Sequence, residues 1–234
     1  MTFLKQTTLA LAILVCLVLA GCDSGNSVIK NSPSPTPSGT ARAGKPEVKT
    51  APPMPTLQPG EEVAVIETAQ GKIKIQLFSD IAPKHVEHFK KLINEGFYNG
   101  LAFHRAVPNL IVQGGDPNTK GNDRETWGSG DKSLPKINAE FSDRPVVKGT
   151  VAAARNAYDP HSASTQFFIC ASPYRAWTGE YTNFGQVISG LDNVQAMTKA
   201  PTDNQERLKN KIVMKKVYLE KYQKPIRGQS KTKR

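Results

Sequence analysis

The chain has 234 residues, 38% apolar and 22% charged, proportions of a soluble globular protein with one or two domains rather than a membrane bundle. Its formal charge of +11 gathers partly at one end, where Lys224, Arg227, Lys231, Lys233 and Arg234 stand close together. That distribution reads as a solvated basic tail, with contact to anionic lipid as the alternative, and no specific nucleic-acid site.

Lys5 precedes an apolar stretch over residues 9–20, about a dozen residues where roughly 20 would be needed to span a bilayer, so it reads as an export signal. It ends in Leu19-Ala20-Gly21-Cys22, which resembles the bacterial lipobox. The resemblance implies loss of residues 1–21, lipidation of Cys22, and a membrane-anchored protein facing the periplasm or cell exterior. Of the three cysteines, Cys16 falls in the removed segment and Cys170 follows Phe167-Phe168-Ile169, so no disulfide framework remains and Cys170 reads as a buried, inert thiol. Residues 22–60 are rich in Pro, Ser and Thr, as in Ser32-Pro33-Ser34-Pro35-Thr36-Pro37. Too little is apolar there to offset chain entropy, and the segment reads as an extended tether.

A globular domain is expected over residues 61–223. Val63, Val65 and Ile66 precede the turn Ala69-Gln70-Gly71, and Ile73, Ile75 and Leu77 follow, a β-hairpin pattern. Val86, Phe89, Leu92 and Ile93 then recur at helical spacing between an expected cap at Asp80 and a stop at Gly96. Short β-like runs follow at 101–106, 110–113, 149–155, 166–170, 183–187 and 211–220, with a second helix at 191–199. Many strands around one core with two helices predict a mainly β fold, a closed antiparallel barrel without exposed edges.

The run from Tyr98 to Pro117, Tyr-Asn-Gly-Leu-Ala-Phe-His-Arg-Ala-Val-Pro-Asn-Leu-Ile-Val-Gln-Gly-Gly-Asp-Pro, resembles the signature of the cyclophilins, and Gln166-Phe167-Phe168-Ile169 resembles that family's Gln-Phe-Phe strand. Asn138-Ala139-Glu140-Phe141 and Asn183-Phe184-Gly185-Gln186-Val187 extend the similarity to roughly residues 62–222. The resemblance implies an eight-stranded barrel capped by two helices and a peptidyl-prolyl cis/trans isomerase that acts on proline-containing polypeptides. It implies Arg105 as the donor to the prolyl nitrogen and Gln113 as the residue that orients it. Phe168 would floor the proline pocket between Leu110 and Ile111, with Ala154, Arg155 and Gln166 along the groove. No metal or cofactor is called for, and the expected form is a monomer.

Several residues depart from the family pattern. Leu110 stands where Phe is usual, Ala106 is smaller than the usual branched residue, and Arg155 replaces an Asn. Tyr181 falls at the family's histidine and Trp177 one place beyond its tryptophan. Trp127 lies in a loop, 120–132, expected to be glycine-rich beside the groove. These departures leave open a tethered chaperone or binding module on the same scaffold with little isomerase activity. A hydrolase built on Ser162 or Ser164 with His161 lacks a nucleophile-elbow sequence. His104 reads as structural, and His85 and His88, without a third ligand, read as a solvated helix face.

Overall fold

The computed structural model describes residues 49–50 and 53–224. The export segment, Cys22, the tether as far as residue 48 and the tail from residue 225 lie outside the described residues. The barrel falls within the unit Arg42–Arg234.

Among the described residues, nine antiparallel strands form one sheet. The opening hairpin pairs β1 (Glu62–Thr68) with β2 (Gly71–Leu77) in the register Ile66 to Ile73. The others are β3 (Ala102–Val107), β4 (Ile111–Gly114), β5 (Thr150–Ala153), β6 (Phe167–Cys170), β7 (Asn183–Ser189), β8 (Arg207–Val213) and β9 (Lys216–Lys221). Their spatial order is β8-β3-β4-β6-β5-β7-β2-β1-β9. The ninth strand arises because the final apolar run breaks at Met214–Lys215. Met214 N donates to Leu101 O at 2.8 Å, beside β3, whereas Lys215 N donates to Glu67 O at 2.7 Å, on β1. The chain itself thus steps from one end of the sheet to the other, and counting β8 and β9 as one bent strand restores the eight-stranded ring.

Helix α1 (Pro83–Asn94) buries His85, Val86, Phe89, Leu92 and Ile93. Phe89 meets Tyr98, Phe167 and Phe184 at centroid separations of 5.1, 5.5 and 5.2 Å, within the range where ring pairs add to simple burial. Asp80 does not cap this helix; Ala82 occupies the cap position and offers no side-chain acceptor. Glu140 does the work from afar, accepting from Lys84 N at 3.1 Å, His85 N at 3.0 Å and His85 Nδ1 at 2.7 Å. A carboxylate satisfies the free N–H groups of a first turn wherever in the sequence it comes from. His85 is therefore 4% exposed, not part of a solvated face. The helix stops as expected at Gly96, whose φ of +69° suits a residue without Cβ.

Helix α2 (Leu191–Thr198) starts after Gly190 and buries Val194, Met197 and Thr198. At Gly190, φ is +86° and a Cβ would fall 2.0 Å from Lys72 O, so only glycine lets the helix approach the β1–β2 turn so closely. Part of the segment assigned by composition to the tether lies on the barrel surface: Lys49 N donates to Phe141 O at 3.1 Å, and Pro55 O accepts from Gln76 Nε2 at 3.0 Å.

Candidate active site on the outer face of the barrel

Strand alternation sorts β6 into two sets. Phe167 and Ile169 belong to the main core, whereas Phe168 and Cys170 belong to a second cluster with Ile111, Val146 and Ala152. The same alternation on β4 sends Val112 inward and Gln113 outward. On β3 it is interrupted: Phe103 and Ala106 both join the core although they stand three apart, because the register shifts between Phe103 and Arg105. This bulge at His104 turns Arg105 outward, a common use of an extra residue beside a functional site.

Cross-strand pairing then sets Arg105 opposite Gln113, Gln113 opposite Phe168, and Phe168 opposite Ala152. Arg105 Nη1 donates to Gln113 Oε1 at 3.0 Å, and Gln113 Nε2 donates to Gln166 Oε1 at 3.0 Å. Gln166 Nε2 in turn reaches Gly128 O at 3.1 Å. A continuous chain of hydrogen bonds therefore links the guanidinium to the loop across the groove, each amide fixing the orientation of the next.

The aromatic departures prove to be neighbours of Phe168. Trp177 lies 5.5 Å and Tyr181 5.2 Å from its ring, both edge-on, and the two are 5.4 Å from each other. A 3-10 turn over Arg175–Trp177 brings the tryptophan there despite its one-place offset, and Tyr174 stacks behind it at 4.6 Å. Leu110 packs on the same cluster. Arg155 spreads over the Tyr181 ring at 4.7 Å while donating to the carbonyls of Glu180, Asn156 and Ala157 at 3.0, 2.9 and 3.2 Å. Its side chain holds the pocket wall and its loop together. Ala154 N donates to Gln166 O at 3.0 Å.

A groove of about 580 Å³ adjoins this cluster, with Gln113, Ala154, Arg155 and Gln166 in its lining. The proposed site residues thus fall into two adjacent halves that meet at Gln113. The far wall is the loop through Gly128 and Gly130, pinned by the fully buried Asp116, whose carboxylate accepts from Asn118 N at 2.9 Å, Gly128 N at 2.5 Å and Gly130 N at 3.2 Å. Trp127 is 8% exposed and lies under the Lys211 ammonium, beneath the loop, with its glycine neighbours against the groove.

His104 is 1% exposed, and burial pushes its pKa down to about 4, so it is neutral in ordinary buffers and a poor proton carrier. Burial likewise raises the Cys170 thiol to about 12, which removes thiolate chemistry. Ser162 Oγ donates to Asp159 O at 2.6 Å and Ser164 Oγ to Pro135 O at 2.9 Å, while His161 Nδ1 accepts from Ala139 N at 3.2 Å. Neither hydroxyl is paired with that imidazole. What sequence reading missed is Glu206, whose Oε2 accepts from Arg105 Nε at 3.0 Å and Nη2 at 2.5 Å. It stands 101 residues away along the chain, in a turn with no motif to flag it.

Fold and site together define a β-barrel whose outer face carries a groove beside two fixed guanidiniums, those of Arg105 and Arg155. Residues 63–219 match the family described as cyclophilin type peptidyl-prolyl cis-trans isomerase. A Brucella suis relative carrying the isomerase name is 40% identical over 154 residues, spanning 64% of this chain and 78% of its own. A Schizosaccharomyces pombe peptidyl-prolyl cis-trans isomerase is 37% identical over 142 residues, 61% of this chain and 88% of its own. Among solved structures, a Cryptosporidium parvum cyclophilin determined in the presence of the dipeptide Ala-Pro superposes with a TM-score of 0.62 at 26% identity, over 68% of this chain and 99% of that one. The chain belongs to the cyclophilin-type peptidyl-prolyl cis-trans isomerase family.

Proposed function

We propose that this isomerase accelerates X-Pro rotation in exported or membrane-associated polypeptides by stabilising the twisted amide with Arg105. The barrier, about 18–20 kcal/mol, is amide resonance. No covalent bond is broken, so catalysis consists of holding the twisted state more tightly than either planar isomer. As the amide twists, its nitrogen becomes pyramidal and accepts a hydrogen bond. The bonds to Glu206 and Gln113 engage Nε–H and one hydrogen on each terminal nitrogen, which leaves a hydrogen on each of Nη1 and Nη2 for the substrate. A guanidinium already fixed in place loses little entropy when it makes that bond.

The proline ring is assigned to the apolar cluster of Phe168, Leu110 and Ile111, over which Trp177 and Tyr181 pack, with flanking residues along the Ala154–Gln166 side of the groove. The single observation that carries this reading is the outward row Arg105, Gln113, Phe168 on adjacent strands. The Ala-Pro dipeptide of the Cryptosporidium parvum structure supports a proline-containing ligand for this chain as well.

Exchange NMR on an Ala-Pro peptide with the full chain tests it. Wild type is expected to speed cis-to-trans relaxation well above buffer, and Arg105→Ala to lose about 100-fold or more in kcat/KM. A folded wild type no faster than buffer overturns the enzyme reading and favours a tethered binding module. The apolar stretch ending in Leu19-Ala20-Gly21-Cys22 supports delivery to a membrane by lipidation of Cys22, with two or more acyl chains for a stable anchor. Cys22→Ala is then expected to abolish palmitate labelling and to release the protein from the membrane fraction.

A further inference from the structure

We infer that Glu206 is a positioning residue for Arg105, fixing the guanidinium from the side opposite Gln113. The inference rests on the reading of Arg105 as the donor to the twisted amide.

Glu206 is one of two residues other than glycine with positive φ among the described residues, at +62°. A side chain in this region is uncommon and carries a backbone cost that glycine would avoid. The turn is nevertheless firmly built. Asp203 O accepts from Glu206 N at 3.0 Å, Asp203 Oδ1 accepts from Gln205 N at 2.9 Å and Arg207 N at 3.0 Å, and Glu206 O accepts from Ala106 N at 3.0 Å. That last bond ties Glu206 to the strand position immediately after Arg105. The result is a carboxylate held at the outer edge of β3, where one oxygen takes both Nε–H and Nη2–H of Arg105.

Gln113 engages the opposite end of the guanidinium through Nη1. Two anchors on different edges of a planar group define its plane, whereas one would leave it free to swing about the remaining bond. Arg105 and Glu206 are both half-buried, with 37% and 41% of their side-chain surface still open to water, so their ion pairing adds little to fold stability. Strain is retained at a place where glycine would fold at least as well, and the side chain that justifies it touches the guanidinium. An outlier of this kind points from geometry towards function.

The test compares wild type with E206G and E206Q in the full chain, by exchange NMR on an Ala-Pro peptide, thermal melting, and 15N relaxation of the Arg105 Nε–H group. Glycine relieves the backbone and deletes the anchor. Tm is therefore expected to stay level or rise while kcat/KM falls about tenfold, the equivalent of about 1.4 kcal/mol, and Arg105 Nε–H becomes more mobile. Glutamine keeps an oxygen acceptor on the same stem and is expected to recover most of the activity and the rigidity. E206G with wild-type turnover, or with turnover and Tm falling together, overturns the assignment. An inactive Arg105→Ala beside a fully active E206G removes this inference alone, whereas an active Arg105→Ala removes the reading beneath it.

Discussion

Phe167 and Phe168 are chain neighbours, 1% and 3% exposed, yet they serve different halves of the molecule. Phe167 packs against Phe89, Tyr98 and Phe103 inside the barrel. Phe168 packs against Trp177 and Tyr181 outside it. Burial alone does not tell the two apart; the neighbours do. One aromatic cluster belongs to the main core between the strands and α1. The other adjoins a groove and a guanidinium, with Trp177 and Tyr181 half-buried at its edge.

The comparison breaks if the two phenylalanines respond alike to substitution. Phe167→Ala leaves a hole bounded by three other rings and is expected to cost about 3–5 kcal/mol, read by urea unfolding. Phe168→Leu, which keeps the site apolar and nearly full, is expected to cost less than about 1.5 kcal/mol while weakening Ala-Pro binding several-fold in an NMR titration. Equal losses of stability would mean that the outer cluster is core as well.

Titration sharpens the same contrast. Burial lowers the pKa of both His104 and His85, so the unfolded chain binds their protons more readily than the folded one. For His104 this stability is complete above the unfolded value of about 6.5 and declines as pH falls towards about 4, by up to ~1.4 kcal/mol per pH unit, and His85 adds a loss of the same sign. His104→Asn is expected to flatten that slope in melts between pH 7 and pH 4. Smaller again is the long-range helix cap: Glu140→Ala strips two backbone donors and His85 Nδ1 of their acceptor, with an expected loss of about 1–2 kcal/mol and faster amide exchange at Lys84 and His85.

The local pattern was legible because it rests on near neighbours. The turn before Gly71, the stop at Gly96, the start of α2 after Gly190 and the apolar β-like run at Gln166–Cys170 depend on backbone freedom or composition within a few residues. The long signature around Arg105 and the separate Gln-Phe-Phe motif together added the row Arg105, Gln113 and Phe168, which pairing across β3, β4 and β6 assembles. Departures at Trp177 and Tyr181 could not be judged in one dimension, since a short helical turn absorbs an offset of one residue.

By itself, then, the sequence determined a mainly β domain with its helices from local periodicity, and family spacing singled out the residues proposed to grip a prolyl bond. Only the tertiary structure decided how the ring closes at Met214–Lys215, that Glu140 caps α1, that the bulge at His104 turns Arg105 outward, and that Glu206 holds its far edge. Each of these joins groups far apart in the chain through a hydrogen bond or a strand register. Such bonds form wherever a donor and an acceptor are brought together, and no local signal marks which distant partner will arrive.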